Sequence, residues 1–166
     1  MGHDIENKIM EVFYEFPEKS FTVRELSSLT KIPRATLHKK VILLKNRGVI
    51  TKDNHAKDTL LFKTKKINYF IEKIVASGLV EKIIEDLNPS CIILFGSIRK
   101  GDSIKESDID LFVESPKKED MNFSIFEKRL GHPIQLFVES NINDLNQELL
   151  NNVVNGIKLF GSFKIK

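Results

Sequence analysis

The sequence predicts an α+β protein in two parts: an N-terminal helical part closed by a short β-hairpin, and a C-terminal small mixed β-sheet with helices. Three observations lead there. Apolar residues recur at helical spacing through the first third of the chain. Positive charge gathers in one block, residues 31–66. Short apolar runs bounded by Gly, Pro, Asn and Asp then fill residues 91–160, which is how strands read.

The elements follow in order. Ile5, Ile9, Val12, Phe13 and Phe16 mark a first amphipathic helix, ended by Pro17. Thr22 with Glu25 three residues on is a capping box that opens a second helix through Leu29. After the turn Thr30-Lys31-Ile32, Pro33 occupies the first turn of a third helix, where its missing amide costs nothing. Leu37, Val41 and Leu44, with Ile42, form the stripe expected to be buried, and Gly48 follows the end. Two β-prone runs, Val49–Lys52 and Thr59–Lys63, flank a polar loop and predict the hairpin.

Ile67, Phe70, Ile71 and Ile74 continue at helical spacing into a connecting helix, which Ser77-Gly78 interrupts. A further helix runs from Leu79 to Leu87. Strands are expected at Cys91–Phe95, Ile109–Glu114, Pro133–Val138 and Ile157–Phe160. Helices at Phe123–Leu130 and Asp144–Val154 are expected to lie on one side of the sheet. The organisation predicted is residues 1–66, a connecting helix at 67–78, and a second domain at 79–166; there is no internal repeat or low-complexity linker.

Composition narrows the function. The 166 residues suit one ordinary domain or two small ones, and 41% hydrophobic with 30% charged residues describes a soluble globular chain. No apolar run approaches the ~18 residues of a membrane span, and the N-terminus has no charged-then-apolar signal pattern. A single cysteine, Cys91, cannot pair internally; burial and a reducing, cytoplasmic setting are expected. The net charge of +3 hides segregation: residues 31–66 hold eleven Lys or Arg against two acids, while both flanking segments stand at −3. Such a block suits a polyanionic partner, although a lysine-rich solvated face has the same composition.

The chemistry-bearing stretch is Leu94-Phe95-Gly96-Ser97, followed ten residues later by Asp108-Ile109-Asp110. Alternation along a strand puts Asp108 and Asp110 on one face, roughly 7 Å apart. Two such acids repel unless a cation sits between them, and a hard divalent ion suits carboxylate and phosphate oxygens. Gly96 lets backbone amides approach a phosphate, and Ser97 adds a hydroxyl. An isolated Asp-x-Asp is also a common solvated strand start; the Gly-Ser turn, the spacing and the apolar flanks favour a nucleoside triphosphate site.

GSIRKGDSIKESDIDLFVE resembles the signature of the minimal nucleotidyltransferases of the DNA polymerase β superfamily: apolar strand, Gly-Ser, a spacer of about ten residues, then Asp-apolar-Asp. Gly101 and Ser107 also match that spacer, and the resemblance covers about Leu79 to the C-terminus. It implies a nucleotidyltransferase fold, NTP as substrate or ligand, and Mg²⁺ or Mn²⁺ held by the catalytic Asp108 and Asp110. It also implies nucleotide contacts from Gly96 and Ser97; Arg99 and Lys100, just after the turn, are placed to neutralise triphosphate charge, although surface lysines and arginines commonly have no such role. The family supplies a third carboxylate from a later strand, and that position falls on Gln135, an amide that cannot act as a base. Losing a general base lowers rate by roughly 10²–10⁴, and Glu139, on the same face, is about 13 Å along the strand.

FTVRELSSLTKIPRATLHKKVILLKNRGVI resembles winged helix-turn-helix domains of bacterial and archaeal regulators, whose third helix enters the DNA major groove. The resemblance places Arg34, Thr36, His38, Lys39 and Lys40 at or near double-stranded DNA, with Lys31, Lys40, Lys52 and Lys57 suited to phosphates. Some such domains instead serve dimerisation or protein docking. Neither His38 nor His55 has a partner at metal-ligand spacing.

Two functions follow as expectations. The first is a Mg-dependent nucleotidyltransferase moving a nucleoside monophosphate onto a hydroxyl. The acceptor could be a side chain of a partner protein, as in antitoxins that modify a cognate toxin. The second is a DNA-binding transcription regulator whose impaired nucleotidyltransferase-like domain serves as nucleotide sensor or oligomerisation unit, for instance in a homodimer. A purely structural adaptor is a third expectation.

Overall fold

The computed structural model describes residues 2–166, with side chains from Asp4 onward. The chain divides into two compact units, Met1–Tyr69 and Phe70–Lys166.

In the first unit, α1 (Gly2–Glu15), α2 (Val23–Thr30) and α3 (Arg34–Asn46) enclose an apolar core. Ile9, Phe13, Leu26, Leu37 and Leu44 are completely buried, and Phe13 meets Phe21 edge to face at 5.4 Å. The capping box forms as expected: Thr22 Oγ1 accepts from the Glu25 amide at 3.2 Å, and the Glu25 carboxylate accepts from the Thr22 amide at 2.8 Å. Pro33 stands at the N-cap of α3, one position earlier than the sequence suggests. Ile42, expected in the buried stripe, is 43% exposed; Leu37, Val41 and Leu44 complete a sufficient face without it.

The expected hairpin is much reduced. A single antiparallel bridge joins Ile50 to Ala56 around a turn in which Asn54 takes a left-handed conformation, φ 57°. Thr59–Lys63 is not a strand. Thr59 Oγ1 accepts from the Phe62 amide at 3.1 Å and so caps α4 (Leu60–Ala76). Only Thr59 in that run is β-branched, and Phe62, Lys66, Phe70 and Ile74 form a buried line four residues apart.

Tyr69 donates its hydroxyl to Glu15 Oε1 at 2.9 Å. Burial, reinforced by the Glu15 charge, pushes its phenol well above the usual range, and burial likewise pushes Tyr14 up to about 12.

The second unit follows the end of α4 with α5 (Leu79–Leu87), β1 (Cys91–Phe95), α6 (Gly96–Lys100), β2 (Ile109–Glu114), α7 (Ser124–Leu130), β3 (Ile134–Glu139), a 3-10 turn (Ile142–Asp144), α8 (Gln147–Val154) and β4 (Ile157–Gly161). The strands form one mixed sheet in the order β3-β2-β1-β4, with β1 antiparallel to both neighbours and β2 parallel to β3. Cys91, Ile93, Phe95 and Phe112 face Ile142 and Val153. Ile92, Leu94, Leu111 and Val113, on the opposite face, are also completely buried. The sheet is therefore covered on both faces, whereas helices on one side were expected. Continuous apolar runs such as CIILF belong to strands buried on both faces.

Glu114 ends β2 with both carboxylate oxygens engaged, accepting from Ser90 Oγ at 2.6 Å and from the Ile142 amide at 2.7 Å. Cys91 is completely buried beside it, and burial pushes its thiol up to about 11. No helix among the described residues is long and apolar enough to cross a membrane.

The two tyrosines give a signed pH dependence. Unfolded tyrosine ionises near its ordinary value of 10.0, whereas the folded state holds both phenols neutral to higher pH. Their stabilisation is thus complete below that value and is lost as pH rises above it. Urea denaturation between pH 8 and pH 11 should show a declining midpoint that Tyr69→Phe makes less steep; equal slopes would remove the assignment.

Candidate active site at the Gly96 turn

The site begins with sheet register. Antiparallel pairing sets Phe95 opposite Asp110, and parallel pairing sets Asp110 beside Gln135. Since β1 ends at Phe95, the turn into α6 starts directly over Asp110. Gly96 adopts φ +72°, and a Cβ built there would lie 1.9 Å from Asp110 Oδ2 and 2.7 Å from its Cγ. No residue with a side chain fits while the carboxylate keeps its place. The structure thus brings together the Gly-Ser turn and the Asp-x-Asp motif.

Alternation leaves Asp108 exposed, Ile109 buried and Asp110 half-buried. Asp110's carboxyl is held above the usual carboxylate range, chiefly by burial and secondly by the charge of Asp108. Asp108 therefore adds to the penalty on the Asp110 anion, and a cation near both would relieve the repulsion. Among the described residues, no group of three or more His, Cys, Asp or Glu side chains is arranged to hold a metal ion. The donor set is two carboxylates with one amide, Gln135, at the neighbouring register position. That fits Mg²⁺ or Mn²⁺, since Mg²⁺ commonly takes one or two protein carboxylates and completes its shell with phosphate and water.

The spacer between turn and acids is tied down locally. The Asp102 amide donates to Ser97 O at 3.1 Å. Ser107 Oγ accepts from the Ile104 amide at 2.9 Å, and the Ser107 amide donates to Ile104 O at 3.1 Å. His132 Nδ1 lies 2.8 Å from Ser107 O. Nothing in the sequence pattern singles out that histidine, because the contact joins residues 25 positions apart.

The remaining residues are less concentrated. Ser97 is half-buried at the start of α6; Arg99 and Lys100 occupy its last turn, at the far end of the helix from Gly96. Glu139 pairs with Glu114 in register and makes an ion pair with Lys118 at 2.7 Å, so it is engaged away from Gln135. On α3, Arg34, His38 and Lys39 are exposed while Thr36 and Lys40 are half-buried; Lys31, Lys52 and Lys57 are exposed nearby in sequence. Part of the basic block is internally compensated or hidden: Arg47 pairs with Glu6 at 2.9 Å, Lys63 with Asp58 at 3.6 Å, and Lys66 is buried.

No curated protein and no solved structure matches the chain. Residues 77–146 match the family model described as a nucleotidyltransferase domain, a segment holding Gly96, Ser97, Asp108, Asp110 and Gln135 and supporting nucleotidyl transfer as its general activity.

Proposed function

We propose that the C-terminal unit binds a nucleoside triphosphate with Mg²⁺ or Mn²⁺ and transfers its nucleoside monophosphate to a hydroxyl. The observation that carries this reading is the fit of the Asp110 carboxylate into the space left by Gly96. It sets a cation-holding group against a turn whose amides and Ser97 hydroxyl suit phosphate oxygens. In the reaction, the acceptor oxygen bonds to the α-phosphorus as the bond to the bridging oxygen breaks. Pyrophosphate leaves, and the hydroxyl proton passes to solvent or a phosphate oxygen. The bound ion would offset charge on the transferring group and on pyrophosphate. Asp108 and Asp110 would hold that ion, Gly96 and Ser97 would orient the phosphates, and Arg99 and Lys100 would add positive charge from the far end of α6. Gln135 can offer its carbonyl oxygen or its NH₂ but takes no proton. The resemblance to the minimal nucleotidyltransferases makes a side chain of a partner protein, of the toxin kind, one acceptor class.

A second reading is favoured by Gln135 and by the charge of the first unit. Here the protein is a winged helix-turn-helix regulator, with α3 on double-stranded DNA and the nucleotide site serving as a sensor. The buried stripe Leu37-Val41-Leu44 leaves Arg34, His38 and Lys39 outward, as a groove-reading helix requires.

Incubation with labelled triphosphates and Mn²⁺ should give transfer that Asp108→Asn or Asp110→Asn abolishes, and Gly96→Ala should reduce it by displacing the Asp110 carboxylate. Transfer that survives both aspartate changes would exclude this site. Gln135→Glu should raise turnover by about 10²-fold or more; an unchanged rate would show that base catalysis is not what limits the enzyme. For the regulator, DNA affinity should fall steeply with salt, and the slope should shrink by about one unit when Lys52 becomes Ala. A flat salt dependence would remove DNA as the partner.

A further inference from the structure

We propose that His132 is the positioning residue of the nucleotide site, holding Asp108 in place through the backbone on its N-terminal side; the inference rests on the nucleotide-site reading above. His132 is 2% exposed, lies in the loop between α7 and β3, and meets the Phe70 ring edge to face at 5.3 Å. A carbonyl oxygen only accepts, so the 2.8 Å contact with Ser107 O assigns the proton to Nδ1.

That bond belongs to a clasp of three. Lys105 Nζ donates to Gly131 O at 2.9 Å, His132 Nδ1 to Ser107 O at 2.8 Å, and the Ile109 amide to Pro133 O at 2.8 Å. The clasp extends the parallel pairing of β2 and β3 beyond the strand ends, joining residues 105, 107 and 109 to residues 131, 132 and 133. Asp108 is exposed and lies between two of the pinned positions, so its backbone is fixed on both sides while its carboxylate stays accessible. Of the three links, His132 supplies the only buried side chain. The Ser107 hydroxyl, engaged with the Ile104 amide at 2.9 Å, closes the turn from the other direction. A ligand carboxylate held by such outer contacts meets a cation already in position, and losing that support typically weakens metal affinity 10–100-fold.

Two substitutions separate positioning from mere packing. In His132→Asn the side-chain amide nitrogen stands the same number of bonds from Cα as Nδ1, so it can still donate to Ser107 O. In His132→Gln the amide lies one carbon further out. Mn²⁺ binding to the full chain, followed by loss of the free-ion electron paramagnetic resonance signal, should weaken about 10-fold in H132Q and largely recover in H132N. Amide exchange at Asp108 and Ile109 should speed up in H132Q alone. Equal loss in both variants, or none in either, overturns the role of His132. Absence of Mn²⁺ binding by the unaltered chain overturns the nucleotide-site reading and this inference with it. Should H132Q fail to fold, Lys105→Met removes the exposed link of the same clasp and decides instead: weaker Mn²⁺ binding sustains the inference, and unchanged binding overturns it.

Discussion

The approach of one carboxylate to one glycine is the constraint on which the second unit's chemistry depends. Asp110 is half-buried beside another acid, an environment that penalises its anion, and nevertheless the backbone at Gly96 closes over it with no room for a single added carbon. Such contact is tolerable only if both strands are held in fixed register, because a slip of one residue would turn Asp110 to the opposite face and bring Leu111 or Ile109 under the turn.

Register in turn follows from burial. Every residue of β1 is buried, so a slipped pairing would still be apolar on that strand but would carry Asp110 and Glu114 of β2 onto the opposite face, where Ile92, Leu94, Leu111 and Val113 are completely buried. Glu114 adds a polar lock at the other end of the strand, where its two oxygens hold Ser90 and the start of the 3-10 turn. An acid fixes each end of the same face of β2. One is satisfied by protein donors, and the other lies against the turn, suited to an external cation.

Much of this was legible in the chain. The Gly-Ser turn, the Asp-Ile-Asp alternation and the apolar runs on either side located the candidate site, and family resemblance singled out Gln135, the residue that stands beside Asp110 in the sheet. Short apolar segments were harder: Thr59–Lys63 is equally compatible with a strand or a first helical turn, and only the line from Phe62 to Ile74 resolves it. Ile42 was misplaced because i+4 and i+5 neighbours of Leu37 compete for one stripe, and packing chose Val41. His132 was invisible for a different reason. Its bond is tertiary, made to a backbone carbonyl, and leaves no trace in residue spacing.

Cys91 gives the molecule a built-in probe. It is the chain's sole thiol, sealed at the start of the inner strand β1, with burial and the nearby Glu114 holding back its ionisation. A thiolate-seeking reagent can reach it only when the sheet opens, so the rate of alkylation clocks local unfolding of the strand that carries the turn. Without any engineered label, the same sulfur would also register whether a ligand held at the Gly96 turn slows that opening.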